Sequence, residues 1–124
     1  MSEATVYSKI HTVDIEVSLT IEELEERLKN FLGSIGQTLS YKGKIMGHIK
    51  VLAKPLHEDS FVALSVTRLD VVDMKRSAVW GNAQCPKFTV LELNINVLIF
   101  GHSKSEVATV VDRSLSKLQA GLLA

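Results

Sequence analysis

Between Lys87 and Leu122 the hydrophobic positions switch from a period of two to a helical period with almost no linker. Leu91, Leu93, Ile95, Val97 and Ile99 alternate with Glu92, Asn94 and Asn96, the pattern of a half-buried strand. Gly101 and His102 break that run. Ser103-Lys104-Ser105-Glu106 then spells a capping box, and Val107, Val110, Val111, Leu115 and Leu118 form one stripe at helical spacing. The same grammar appears near the N-terminus. A first strand is predicted over Thr5 to Leu19, clearest where Val13, Ile15, Val17 and Leu19 alternate with Thr12, Asp14, Glu16 and Ser18. Thr20 and Glu23 make a second capping box, and Glu22, Glu23, Glu25 and Glu26 crowd the first turns, where the helix dipole favours negative charge. Leu24, Leu28, Phe31, Leu32, Ile35 and Leu39 supply the buried stripe. Gly33 and Gly36 interrupt this helix at about 1 kcal/mol each relative to alanine. Because the stripe continues past them, close approach of a strand to the helix is expected rather than a kink.

The middle of the chain reads as a meander. Tyr41-Lys42-Gly43 is a turn, and a second strand is predicted from Lys44 to Lys54 with Ile45, Gly47, Ile49 and Val51 on its core face. Pro55 to Ser60 forms a short polar hairpin loop. A third strand is predicted from Phe61 to Met74, with a change of phase near Arg68 that implies a bulge or bend. At roughly 46 Å if straight, such a strand is long for a small domain, so it must coil around the first helix or project towards another subunit. Lys75 to Pro86 has no clear period and holds Trp80, a Gly81-Asn82 turn signal and Cys85. The expected architecture is one α+β domain over residues 1–124. It is a two-layer sandwich: a coiled, mainly antiparallel four-stranded sheet with two helices, in the order β-α-β-β-β-α.

Composition narrows the function classes. The apolar fraction of 46% excludes disorder, and fourteen basic against fourteen acidic residues leave no global field for nucleic acid or an anionic membrane, so neither is an expected partner. The single Cys85 allows no internal disulfide and none of the multi-cysteine zinc patterns. The N-terminal residues lack a signal-peptide core, and the most apolar stretch, Val90 to Phe100, is broken by Glu92, Asn94 and Asn96. A soluble cytoplasmic protein is expected. On the nominal outer face, Met46, Leu52, Val90, Leu98 and Phe100 interrupt the polar positions. Together with zero net charge, this favours a homo-oligomer, most simply a two-fold dimer.

No chemical motif stands out. His11, His48, His57 and His102 are scattered, without the i, i+4 spacing of a helical metal pair, and neither a metal nor a cofactor is expected. Lys42, Lys44, Lys50 and Lys54 suit either a phosphate-bearing ligand or protection of an edge strand, the second being favoured because no aromatic residue interleaves to stack on bases. Asp70 and Asp73, with Asp14 and Glu16, read as solvated carboxylates, since residues three apart on a straight strand face opposite ways. Cys85 has no local signature of a nucleophile. Gly33-Ser34-Ile35-Gly36 lies within a helix and is no phosphate loop. Trp80 suits a recognition anchor as well as it suits a core cap or a subunit contact.

These observations favour a non-catalytic, oligomeric domain that binds a small-molecule ligand or a protein partner. The expected site is the concave sheet face with the Lys75–Pro86 loop, formed by His48, Lys50, Arg68, Trp80 and Asn82. No catalytic residue is assigned. One alternative is a curled-sheet enzyme hydrolysing or dehydrating an acyl-type substrate at a dimer interface. It requires His48 or the Asp70/Asp73 carboxylates beside a helix N-terminus. A purely structural assembly subunit is the other, and it requires Trp80 buried between chains.

Overall fold

A computed structural model of the chain describes residues 3–81 and 86–123. The elements run β1 (Thr5–Asp14), α1 (Ile21–Leu39), β2 (Gly47–Pro55), β3 (Val62–Arg68), β4 (Val71–Arg76), β5 (Val90–Ile99) and α2 (Lys104–Leu123). All five strands belong to one sheet in the order β1-β5-β2-β3-β4, and every neighbouring pair is antiparallel. The α+β class therefore stands. β1 and β2 are both antiparallel to β5, hence parallel to each other, with α1 as their crossover and β5 inserted between them.

The expected four strands become five. The stretch read as one strand from Phe61 to Met74 is a hairpin of β3 and β4, reversed at Leu69-Asp70, where Asp70 takes a φ of 70°. Aspartate tolerates the left-handed region better than most residues, so no glycine is needed there. A register shift between Val66 and Arg68 accompanies the reversal. The change of phase near Arg68 is thus a reversal of chain direction, and no over-long strand exists to coil or project. The first strand is also shorter than expected. After Asp14 the chain leaves the sheet, and the N–H groups of Glu16 and Val17 donate to the carbonyl of Leu122 at 2.7 and 3.2 Å. They thereby occupy a carbonyl that the end of α2 leaves without a helical partner.

Both helices lie on one face of the sheet, antiparallel to each other. Arg27 near the start of α1 donates to the carbonyl of Gly121 at the end of α2, and His102 just before α2 meets the carbonyl of Leu39 at the end of α1. Between helices and sheet lies one hydrophobic core. It includes Leu24, Leu28, Leu32 and Ile35 of α1, Val107, Val111 and Leu115 of α2, and Leu91, Leu93, Ile95, Val97 and Ile99 of β5. Both capping boxes form: Thr20 Oγ1 and Ser103 Oγ each accept from the backbone of the glutamate three residues on, and those glutamates accept in return. These bonds hold Glu23 and Glu106 below the usual carboxylate range.

Two glycines are fixed by packing. A Cβ on Gly36 would lie 3.1 Å from Ile45 Cδ1, so this glycine does let the sheet approach α1 closely, whereas Gly33 faces open space. Gly47 is more constrained, since a Cβ there would sit 1.9 Å from the Leu98 carbonyl oxygen, and its φ is +149°. Among the described residues no helix is long and apolar enough to cross a membrane.

Candidate functional site

The face of the sheet opposite the helices carries no other described element, and strand register decides what meets there. Side chains one residue out of phase with the core line up in rows across the strands. One row runs Ser8, Asn96, Lys50, Ser65, Asp73, entirely polar from edge to edge. The next runs Ile10, Asn94, Leu52, Ala63, Lys75. On the other side of the polar row stand Val6, Leu98 and His48.

The β2–β3–β4 end of these rows frames an open groove of about 430 Å³, with Lys50, Ser65, Asp73, Lys75 and Asn96 as polar walls and Leu52 and Ala63 as apolar ones. Ser8 Oγ donates to Asn96 Oδ1 at 2.7 Å, which leaves the Asn96 amide nitrogen free. Among the described residues, Lys50, Ser65, Asp73 and Lys75 make no side-chain hydrogen bond and no ion pair. Two ammonium groups, a carboxylate, a hydroxyl and an amide N–H₂ therefore line one groove without partners among the described residues. Such a set can bind an anionic group between the lysines and a cationic one at Asp73.

Of the five residues expected to form a site, the structure brings His48 and Lys50 together. They sit two residues apart on the open face of β2, with Lys50 in the groove and His48 beside it. The His48 ring Nδ1 is buried and has no hydrogen-bond partner among the described residues. Arg68 is exposed at the β3–β4 reversal, paired with Val71 and outside the groove lining. Asn82 lies outside the described residues, as does Cys85.

Trp80 is on the other side of the sheet. It is 5% exposed and buried within its own chain, with its ring centroid 5.8 Å from that of Phe88 and its indole N–H donating to Glu25 Oε2 at 2.9 Å. Arg76 donates to both oxygens of the same carboxylate, at 2.6 and 2.9 Å. The Arg76 guanidinium, seconded by Trp80, holds the Glu25 carboxyl below its ordinary range against the opposing effect of burial. This latch pins the segment after β4 to the first turns of α1. A cleft of about 480 Å³ beside it is lined by Glu25, Arg76 and Trp80, whose polar groups are already committed to one another.

Sequence reasoning placed Glu25 among the dipole-favoured acids of α1 and Asp73 among solvated carboxylates. It assigns none of Ser65, Lys75 and Asn96 a binding role of its own. The available signal was the phase of Asp73 and Lys75 once β4 is counted as a strand of its own. The remaining histidines do not join them: His11 is half-buried on β1 in phase with Val13 on the covered face, His57 is exposed in a turn with φ 67°, and His102 bridges the two helices through Leu39 O at 3.0 Å and Glu106 Oε2 at 3.4 Å. Among the described residues, no three of His, Cys, Asp and Glu gather into a group able to hold a metal ion.

Compared with known proteins, the chain matches no family model, no curated sequence and no solved structure.

Proposed function

We propose that this protein is a non-catalytic binding domain that takes a small zwitterionic carboxylate on the open face of its sheet. The observation that carries the reading is the convergence of unpartnered groups over the groove: Lys50 and Lys75 for the ligand's carboxylate, Asp73 for its cationic group, Ser65 and Asn96 for further hydrogen bonds. Charge-assisted bonds of this kind are about twice as strong as neutral ones, and the Leu52 and Ala63 walls exclude part of the water that would weaken them.

A non-catalytic role is favoured over the acyl-transfer alternative by two features. The unpartnered Nδ1 leaves the His48 ring without the orienting group a general base relies on. Both helix N-termini lie on the covered side of the sheet, so neither stands beside His48 or Asp73 on the open face to steady an oxyanion.

Thermal denaturation in the presence of each of the common amino acids and of glycine betaine tests the reading. At least one of these probes is expected to raise the melting temperature, by about 2.7 kcal/mol of stabilisation at a hundredfold excess over its Kd. Lys50→Ala and Asp73→Asn are each expected to abolish that rise while leaving the unliganded melting temperature unchanged. No rise with any probe, or a rise that survives both substitutions, would overturn it.

A further inference from the structure

The sheet has two edges, and only one is protected. β4 is short, spanning Val71–Arg76, carries Asp73, Lys75 and Arg76, and is set off by the register shift beside it. These are the features by which natural sheets discourage a further strand. β1 is neither short nor shifted in register, and its charged residues are Lys9 and Asp14. It presents ten residues in unbroken register with β5, without proline or bulge. Of its basic residues, Lys9 is drawn to the helix side by an ion pair with Asp112 at 2.7 Å. The open-face side of this edge instead carries Ile10 and Val6, 67% and 60% exposed. Gln119 of α2 clasps the last residue of β1, accepting from the Asp14 N–H at 3.0 Å and donating to its carbonyl at 2.8 Å. From Val6 to Thr12 no described side chain bonds the backbone, so apolar exposure and an unpaired edge coincide there.

We infer that two copies of this chain join edge to edge through β1, antiparallel, about a two-fold axis normal to the sheet at Ser8. Five strands from each copy then form one continuous sheet, with both helix layers on one side and both grooves on the other. The second copy is the occupant because the strand's own side chains select it. With the axis at Ser8, Val6 of each copy stands opposite Ile10 of the other, so each exposed apolar residue gains an apolar neighbour, and Lys9 stands opposite Tyr7. An axis at Lys9 would set two lysines directly opposite, which is repulsive, and one at Ile10 would set Val6 against Asp14. The symmetric contact closes on itself and leaves only the protected β4 edges free. This inference does not depend on the ligand proposed for the groove.

Light scattering of the purified protein is expected to give twice the chain mass, and Val6→Glu and Ile10→Glu are each expected to give the monomer mass. Because both side chains are exposed in the single chain, the circular dichroism of these variants should match the parent, which separates lost pairing from lost folding. In a Cys85→Ser background, Ser8→Cys should cross-link two copies on mild oxidation, since directly opposed strand residues lie about 4.5–5.5 Å apart, within disulfide reach. Ile10→Cys should not, because four residues offset its two copies by about 13 Å along the strand. A monomeric parent would overturn the inference. So would a dimer that survives Ile10→Glu but dissociates with Leu52→Glu, since that places the contact on the open face. Cross-linking of Ile10→Cys in place of Ser8→Cys would overturn the proposed axis.

Discussion

The two faces of this sheet are made by the same strands, one residue out of phase, and they use their side chains in opposite ways. Along β5, Leu91, Leu93, Ile95, Val97 and Ile99 are fully or almost fully buried under the helices. The residues between them include Glu92, Asn94 and Asn96, which bond to each other, to Ser8 or to nothing described. The helix-covered face spends its residues on apolar burial, worth about 1.5–3 kcal/mol for each large side chain. On the open face, Lys50, Asp73 and Lys75 make no ion pair among the described residues. Stability and binding should therefore separate residue by residue along a single strand.

The severest way to break the comparison is to disturb the sheet that both faces share. Gly47→Ala forces a Cβ into the Leu98 carbonyl, and a backbone atom cannot rotate aside as a side chain can. A destabilisation above about 4 kcal/mol is expected, in the range reserved for special mechanisms. Urea denaturation would show it as a fall in midpoint, and a change under about 1 kcal/mol would mean that β2 and β5 are not so close. Next in size is Ile95→Ala, which empties a fully buried position on β5 and should cost about 2–5 kcal/mol. Its neighbour Asn96→Ala, on the open face, should cost less than about 0.5 kcal/mol by the same measurement.

How far this division was legible in the sequence differs between the elements. β5 and both helices declared themselves through long periodic runs ended by capping boxes, in which local signals and the final packing agree. The β3–β4 reversal did not, because Asp70 is the one turn-favouring residue in it, and β-branched residues continue on both sides. Missing that reversal hid the groove, since Asp73 joins Ser65 and Lys50 only after the chain has folded back. The burial of Trp80 was hidden for another reason: its partner Glu25 is 55 residues away, and no local pattern encodes a contact of that span. That His48 and Lys50 share a face was legible because both stand on one strand, where a period of two suffices.

Glu25 sharpens the comparison, as a buried polar group on the covered side that is fully committed. Glu25→Gln removes its charge while keeping its shape, and should cost about 1–2 kcal/mol, discounted because its partner Arg76 is half exposed. The pH dependence has a definite sign. A carboxyl held below its ordinary value lends stability that is fully present above the unfolded value of about 4.3 and is lost as pH falls through the folded one. Stability of the parent should therefore drop below about pH 4.5, and the drop should shrink in Glu25→Gln. It should not vanish, because Glu23 and Glu106 in the capping boxes are displaced the same way. Equal acid sensitivity in parent and variant would mean that Glu25 is not paired in solution.

The smallest expected change in stability is the most informative about function. Lys50 is exposed on the open face and engages no described side chain, so Lys50→Ala should leave the denaturation midpoint within about 0.5 kcal/mol of the parent. If the lysine only guarded a strand edge, its position would make no sense, because β2 lies inside the sheet with β5 on one side and β3 on the other. A lysine on an interior strand, in register with an unpaired aspartate across one intervening strand, is better explained by something that arrives between them. Measuring Lys50→Ala and the double variant with Asp73→Asn settles whether the two act together. Removing both should not cost stability, and if the pair instead proves coupled by more than about 0.5 kcal/mol without ligand, Lys50 and Asp73 already neutralise each other and the groove loses its claim to a zwitterion.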